Sequence, residues 1–145
     1  MNYFDTSFLV PFFLEEPTSS QVERFLERQP TGTPTISLWT SVEFSSALAQ
    51  QLRIGKLSQE AALEAETEFN SLISASFVTV APAAEDFERA RQFLRRHETG
   101  LRSGDALHLA IASNRGAQAL YSLDRRLLKA GQVLGLPVKS GIRLS

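Results

Sequence analysis

No cysteine occurs anywhere in the chain. That excludes a disulfide framework, a thiolate metal site and a cysteine nucleophile. No long apolar run occurs either: the longest, Phe8 to Leu14, is broken by Pro11 and falls far short of the ~20 residues that span a bilayer. The first residues lack the basic and apolar regions of a signal peptide, so a soluble, cytoplasmic protein without a membrane partner is the expectation. Internal repeats and low-complexity tracts are missing too. Charge of one sign is not in excess, since the formal net charge is −1, which argues against a polycation that coats nucleic acid.

What is present is a chain of 145 residues, 43% hydrophobic, enough for a single domain spanning 1–145 with a real core. Its charges are segregated. Residues 1–85 carry 4 Lys and Arg against 11 Asp and Glu, whereas the remainder carries 11 against 5. Either the helix surfaces differ in sign without consequence, or the basic half draws a polyanion towards carboxylates elsewhere.

Strand and helix signals alternate along the chain. Tyr3-Phe4 reads as a short buried strand ending in Asp5, followed by an apolar helix to Glu15 or Glu16 that Pro11 bends or shortens. Val22, Phe25 and Leu26 stripe a second helix. Thr35-Ile36-Ser37 is the next strand, and a longer helix runs from Leu38 or Trp39 to Arg53, with Gly55 as its stop. Ser58 caps a helix whose buried face is Ala62, Ala65, Phe69, Leu72 and Ile73, making a helical hairpin with its predecessor. Phe77 to Val80 is a strand, and Ala83 to His97 a helix with Phe87, Ala90 and Leu94 inward. The segment after Asp105 is apolar nearly all round, so it reads as a buried helix capped by Ser103. Gln118 to Tyr121 is a strand, Arg125 to Ala130 a basic helix ended by Gly131, and a last strand lies near Leu136 to Val138. Strands separated by helices predict a mostly parallel sheet covered on both faces.

In such a sheet the functional crevice lies at the carboxyl ends of the strands. Asp5 and Asp124 each end a predicted strand, beside the hydroxyls of Thr6 and Ser122. Asp105 opens the most buried helix, and Glu43 lies in an apolar helix among Trp39, Val42, Phe44 and Ala47. Asp5 and Asp124 also suit helix N-caps. Should all four meet, their repulsion would raise at least one pKa unless Mg²⁺ or Mn²⁺ is held there, hard cations that oxygen-only donors favour over zinc. The chemistry of such a site is phosphodiester hydrolysis by water, which needs no Ser-His or Cys-His pair.

Tyr3-Phe4-Asp5-Thr6-Ser7-Phe8-Leu9-Val10 resembles the opening motif of PIN-domain ribonucleases, especially VapC-type toxins of toxin–antitoxin pairs. Ser41-Val42-Glu43-Phe44 resembles that family's helix glutamate, and Ser103-Gly104-Asp105-Ala106-Leu107-His108-Leu109-Ala110 its third acidic motif. Tyr121-Ser122-Leu123-Asp124-Arg125-Arg126-Leu127-Leu128 resembles the fourth, with Ser122 where threonine is usual. The resemblance implies an α/β fold with a central parallel five-stranded sheet, helices on both faces and a protruding helical hairpin. It implies a metal-dependent endoribonuclease acting on tRNA, rRNA or mRNA, a homodimer and an antitoxin partner. Asp5, Glu43, Asp105 and Asp124 would be its catalytic and metal-binding acids.

Thr6 and Ser122 are candidates to bond a carboxylate or a metal-bound water, and Arg102, Arg125 and Arg126 to hold the RNA backbone. His108, on the helix face of Asp105, reads as a satisfied buried histidine, and Trp39 as a packing residue. Alternatives are a housekeeping RNA-processing nuclease without antitoxin, an inactive scaffold, and a receiver-like signalling module. The last would need an acidic pair after the first strand, where Thr6 and Ser7 follow Asp5. A haloacid-dehalogenase-like phosphatase would need an acid at Ser7.

Overall fold

The computed structural model describes residues 1–144. Five short strands form one parallel sheet: β1 (Asn2–Phe4), β2 (Pro34–Ser37), β3 (Val78–Val80), β4 (Ala119–Tyr121) and β5 (Val138–Lys139). Their spatial order is β3-β2-β1-β4-β5, so the strand that carries Asp5 is central, as expected if acids approach it from both sides. Register is set by Tyr3 opposite Thr35 on one flank and Leu120 on the other.

Because side chains alternate along a strand, β1 feeds two cores. Phe4 joins Phe8, Val22, Ile36, Phe44 and Phe69 on one face. Tyr3 joins Leu109, Ile111, Leu120 and Leu127 on the other. Helices cover both faces: α1 (Thr6–Phe13), α2 (Ser19–Glu27), α3 (Leu38–Arg53), α4 (Gln59–Ser76), α5 (Ala84–Leu94), α6 (Ser103–Asn114) and α7 (Arg125–Val133). The α3–α4 hairpin is anchored by a stacked Phe44–Phe69 pair on which Phe13 of α1 sits edge-on, while Ile54 at its tip is exposed. A partly buried ion pair ties α5 to the end of α6: Arg115, the residue that caps α6, donates to both carboxylate oxygens of Asp86 at 3.0 and 2.9 Å. Asn114 and the Ala83 N–H add hydrogen bonds, and together these outweigh burial and hold the Asp86 carboxyl below its usual range.

Several boundaries differ from the sequence reading. α1 keeps Pro11 inside it and ends at Phe13, two residues after the proline, rather than at Glu15 or Glu16. α5 stops at Leu94, followed by a 3-10 turn at His97–Thr99, and Phe87 is 53% exposed instead of inward. Ser103 lies inside α6, whose N-cap position is Arg102. α7 continues through Gly131 to Val133, and the last strand is displaced to Val138–Lys139. Among the described residues no helix is long and apolar enough to cross a membrane.

Candidate active site

Asp5 stands where the chain leaves β1 and enters α1, and it is 3% exposed. Burial pushes its carboxyl up, against the opposing pull of His108 and three local hydrogen bonds. Ser7 Oγ donates to Oδ1 at 2.7 Å, the Phe8 N–H to the same oxygen at 3.1 Å, and Ser122 Oγ to Oδ2 at 2.6 Å. Asp5 is therefore both the N-cap of α1 and the centre of a hydroxyl cradle. A carboxylate oxygen accepts about two hydrogen bonds, so Oδ1 is filled while Oδ2 keeps one acceptor position. Ser7 also accepts from the Leu123 N–H at 2.9 Å, which ties the ends of β1 and β4 together.

Glu43 projects from the first half of α3 with its side chain 28% exposed. Its Oε1 accepts from Thr6 Oγ1 at 2.7 Å and from His108 Nε2. Burial works to raise its pKa, but the hydrogen bond and charge of His108 and the bond from Thr6 prevail and lower it. Thr6 thus serves Glu43, and Ser122 serves Asp5.

Asp105, in the first turn of α6, is pushed up to about 6. Burial is the main cause, followed by the negative charges of Asp124, Asp5 and Glu43, with His108 opposing. Asp124 caps α7, accepting from the Arg126 N–H at 2.9 Å and the Leu127 N–H at 3.4 Å. Each of the other three acids thus lies within electrostatic reach of Asp105. Arg102, Arg125 and Arg126 are exposed at the starts of α6 and α7.

The donor set is oxygen-only, and the crowding that raises Asp105 is what a hard divalent cation relieves. Among the described residues, however, no three Asp, Glu or His side chains are gathered tightly enough to hold an ion. Glu43 Oε1 is engaged by His108 and Thr6, and Asp124 Oδ1 by the start of its own helix. The residues fit such a cation by chemistry, without being pre-clustered for it.

Sequence reading missed two supporting groups. Ser7 has no assigned role in the sequence pattern, although the spacing Asp-x-Ser is itself a local hydrogen-bond signal. Tyr3 was read as core, yet its hydroxyl bonds Ser37 Oγ at 2.8 Å and His108 Nδ1 at 2.7 Å. Trp39 packs against the Tyr3-side core, and its indole N–H is buried without a partner. It borders an apolar cavity of about 560 Å³ between α3, α5 and α6.

The model of the PIN domain family matches residues 3–133, and the chain belongs to that family. Solved structures share the fold. Mycobacterium tuberculosis VapC20, a Sarcin-Ricin loop cleaving toxin, aligns with a TM-score of 0.72 at 23% identity, covering 90% of this chain and 95% of its own. A toxin–antitoxin complex from Klebsiella pneumoniae aligns at 0.68 and 20% identity, over 99% and 100% of the two chains. FitAcB from Neisseria gonorrhoeae aligns at 0.71 and 14% identity, again over 99% and 100%. A search of the curated proteins gives no match.

Proposed function

We propose that this protein is a divalent-metal-dependent endoribonuclease and the toxin of a toxin–antitoxin pair. One observation carries the nuclease reading: at the carboxyl ends of a PIN-family sheet, Asp5 and Asp124 cap the helices that follow β1 and β4, and Glu43 Oε2 lies against Gly104, next to Asp105. Asp5 and Asp105 would hold Mg²⁺ or Mn²⁺, with Glu43 and Asp124 completing the set. The bound cation supplies Lewis-acid charge at a phosphodiester and lowers the pKa of water.

The chain's own residues do the rest. Ser7, Ser122 and the Phe8 N–H fix the Asp5 carboxylate in one orientation, so no reorganisation is needed when charge arrives. Thr6 and His108 keep Glu43 ionised. Arg102, Arg125 and Arg126 flank the acids and would bind phosphates on either side of the scissile bond, positioning RNA without reading its sequence. The toxin assignment draws on the fold shared with VapC20 and with toxin–antitoxin complexes. A homodimer is supported by Leu38, Val42 and Phe87, all more than half exposed around the apolar cavity.

Cleavage of a panel of tRNA, rRNA and mRNA with added Mg²⁺ or Mn²⁺, followed by end mapping, tests the activity. Asp5→Asn should keep the fold and lose at least about 100-fold in rate, the scale expected when a preorganised electrostatic group is removed. Cleavage by that variant at the wild-type rate would remove Asp5 from the site.

A further inference from the structure

His108 and Tyr3 are 1% and 0% exposed, and Tyr3 is set among Leu109, Ile111, Leu120 and Leu127. Burying an imidazole and a phenol costs free energy that an apolar pair of the same volume would not. Their hydrogen bonds run in one line. Ser37, fully buried at the end of β2, meets the Tyr3 hydroxyl at 2.8 Å, and that hydroxyl meets His108 Nδ1 at 2.7 Å. His108 Nε2 in turn meets Glu43 Oε1. The Glu43 carboxylate can only accept, so Nε2 donates to it; Nδ1, the Tyr3 hydroxyl and Ser37 complete the line behind it. The line ends on an ionised side chain at the rim of the sheet, and not on backbone.

Two features of its end decide what it does. Thr6 donates to the same Oε1 at 2.7 Å, so that oxygen has both acceptor positions filled. Oε2 lies against Gly104, where a Cβ would stand 3.0 Å from it, and the next residue is Asp105. The missing side chain at 104 lets α6 approach Glu43 this closely.

Resting on the nuclease reading above, we propose that His108 and Tyr3 are positioning residues for Glu43. The buried line from Ser37 grips one carboxylate oxygen and leaves the other at the Asp105 side of the rim for the cation. Neither residue touches substrate; both act through Glu43.

Mn²⁺ binding to the full chain, measured by electron paramagnetic resonance and calorimetry, tests this alongside thermal melting. Tyr3→Phe and His108→Phe should each weaken Mn²⁺ binding about tenfold, the usual effect of losing a group that orients a ligand. Glu43→Gln should weaken it at least as much, and in that background neither substitution should weaken it further. Tyr3→Phe changes one atom and keeps the ring, so it decides the matter should His108→Phe fail to fold. Wild-type affinity in folded Tyr3→Phe, or an undiminished second loss in the Glu43→Gln background, would overturn the positioning role while leaving the nuclease reading intact. A wild-type chain that binds no Mn²⁺ would overturn both.

Discussion

Asp105 shows how one carboxyl reports on its neighbours. Its pKa of about 6 lies above the ordinary 3.8, so the folded chain holds that proton more tightly than the unfolded one. The stability this confers is fully present below about pH 4 and is lost as pH rises through about 6. Above that, without a divalent cation, an ionised Asp105 weakens the fold. Asp105→Asn should therefore melt several degrees higher than wild type at pH 8 and at the same temperature at pH 4. The gain is about 1–2 kcal/mol once the partial exposure of the group is allowed for. Added Mg²⁺ should raise the wild-type melting temperature at pH 8 and leave the variant's nearly unchanged. Calorimetric scans at the two pH values check both statements, and a pH-independent gain would show that the acids do not crowd Asp105. The candidate acids were legible in the sequence because Asp5 and Asp124 follow strands, Asp105 opens a helix and Glu43 interrupts an apolar one. Their partners were not. Whether Thr6 bonds Asp5 or Glu43, and whether His108 faces core or site, depends on how α3 and α6 lean on β1, and no local pattern encodes that.

At the scale of elements, short apolar runs bounded by turn residues marked the strands, and one-sided apolar stripes marked most helices, while α6 stood out as apolar nearly all round. Ends were harder to place. Gly131 reads as a helix stop, yet α7 runs through it, and the left-handed residue that follows the helix is Gly135 at φ 74°. Gly131 is small for a different reason: a Cβ there would come within 2.5 and 2.9 Å of the Val138 methyl carbons on β5. A helix–strand close approach looks the same in sequence as a C-cap. Gly131→Ala should accordingly destabilise the fold by about 1–2 kcal/mol, because overpacking against β5 outweighs the gain in helix propensity. Adding Val138→Ala should recover part of that loss, so that the double variant is more stable than the two single effects sum to. Urea unfolding of the four proteins measures the coupling. Phe87 misled for a related reason. It fits the inward stripe of α5 with Ala90 and Leu94, but it stands on the edge of that stripe and borders the apolar cavity.

At the scale of the molecule, charge and apolar surface divide the work. Arginines on and just beyond α5 are engaged locally: Arg91 pairs with Glu88, and Arg96, which precedes the 3-10 turn, with Glu98. Arg102 and Arg126, exposed at the starts of α6 and α7, are basic ground beside the acids. The apolar ground lies next to it, since Trp39 and Gly104 border both the cavity and the neighbourhood of Glu43. Leu38 at 52%, Val42 at 57% and Phe87 at 53% exposure form one patch on α3 and α5 around that cavity. Scattered exposed apolar side chains are ordinary, but a contiguous set around a concave surface marks a protein contact. On the homodimer reading this patch closes against a second copy. Val42→Asp then places a charge in the middle of the contact without touching either core, since Val42 is exposed and outside the buried clusters. Light scattering on the purified chain should give a dimer for wild type and a monomer for Val42→Asp, with melting of the variant monomer still cooperative. Because the patch adjoins α3, the monomer should also bind RNA more weakly if both copies line the approach to the acids. A wild-type chain that is monomeric at high micromolar concentration would instead leave this surface to the antitoxin, and Val42→Asp would then weaken that complex.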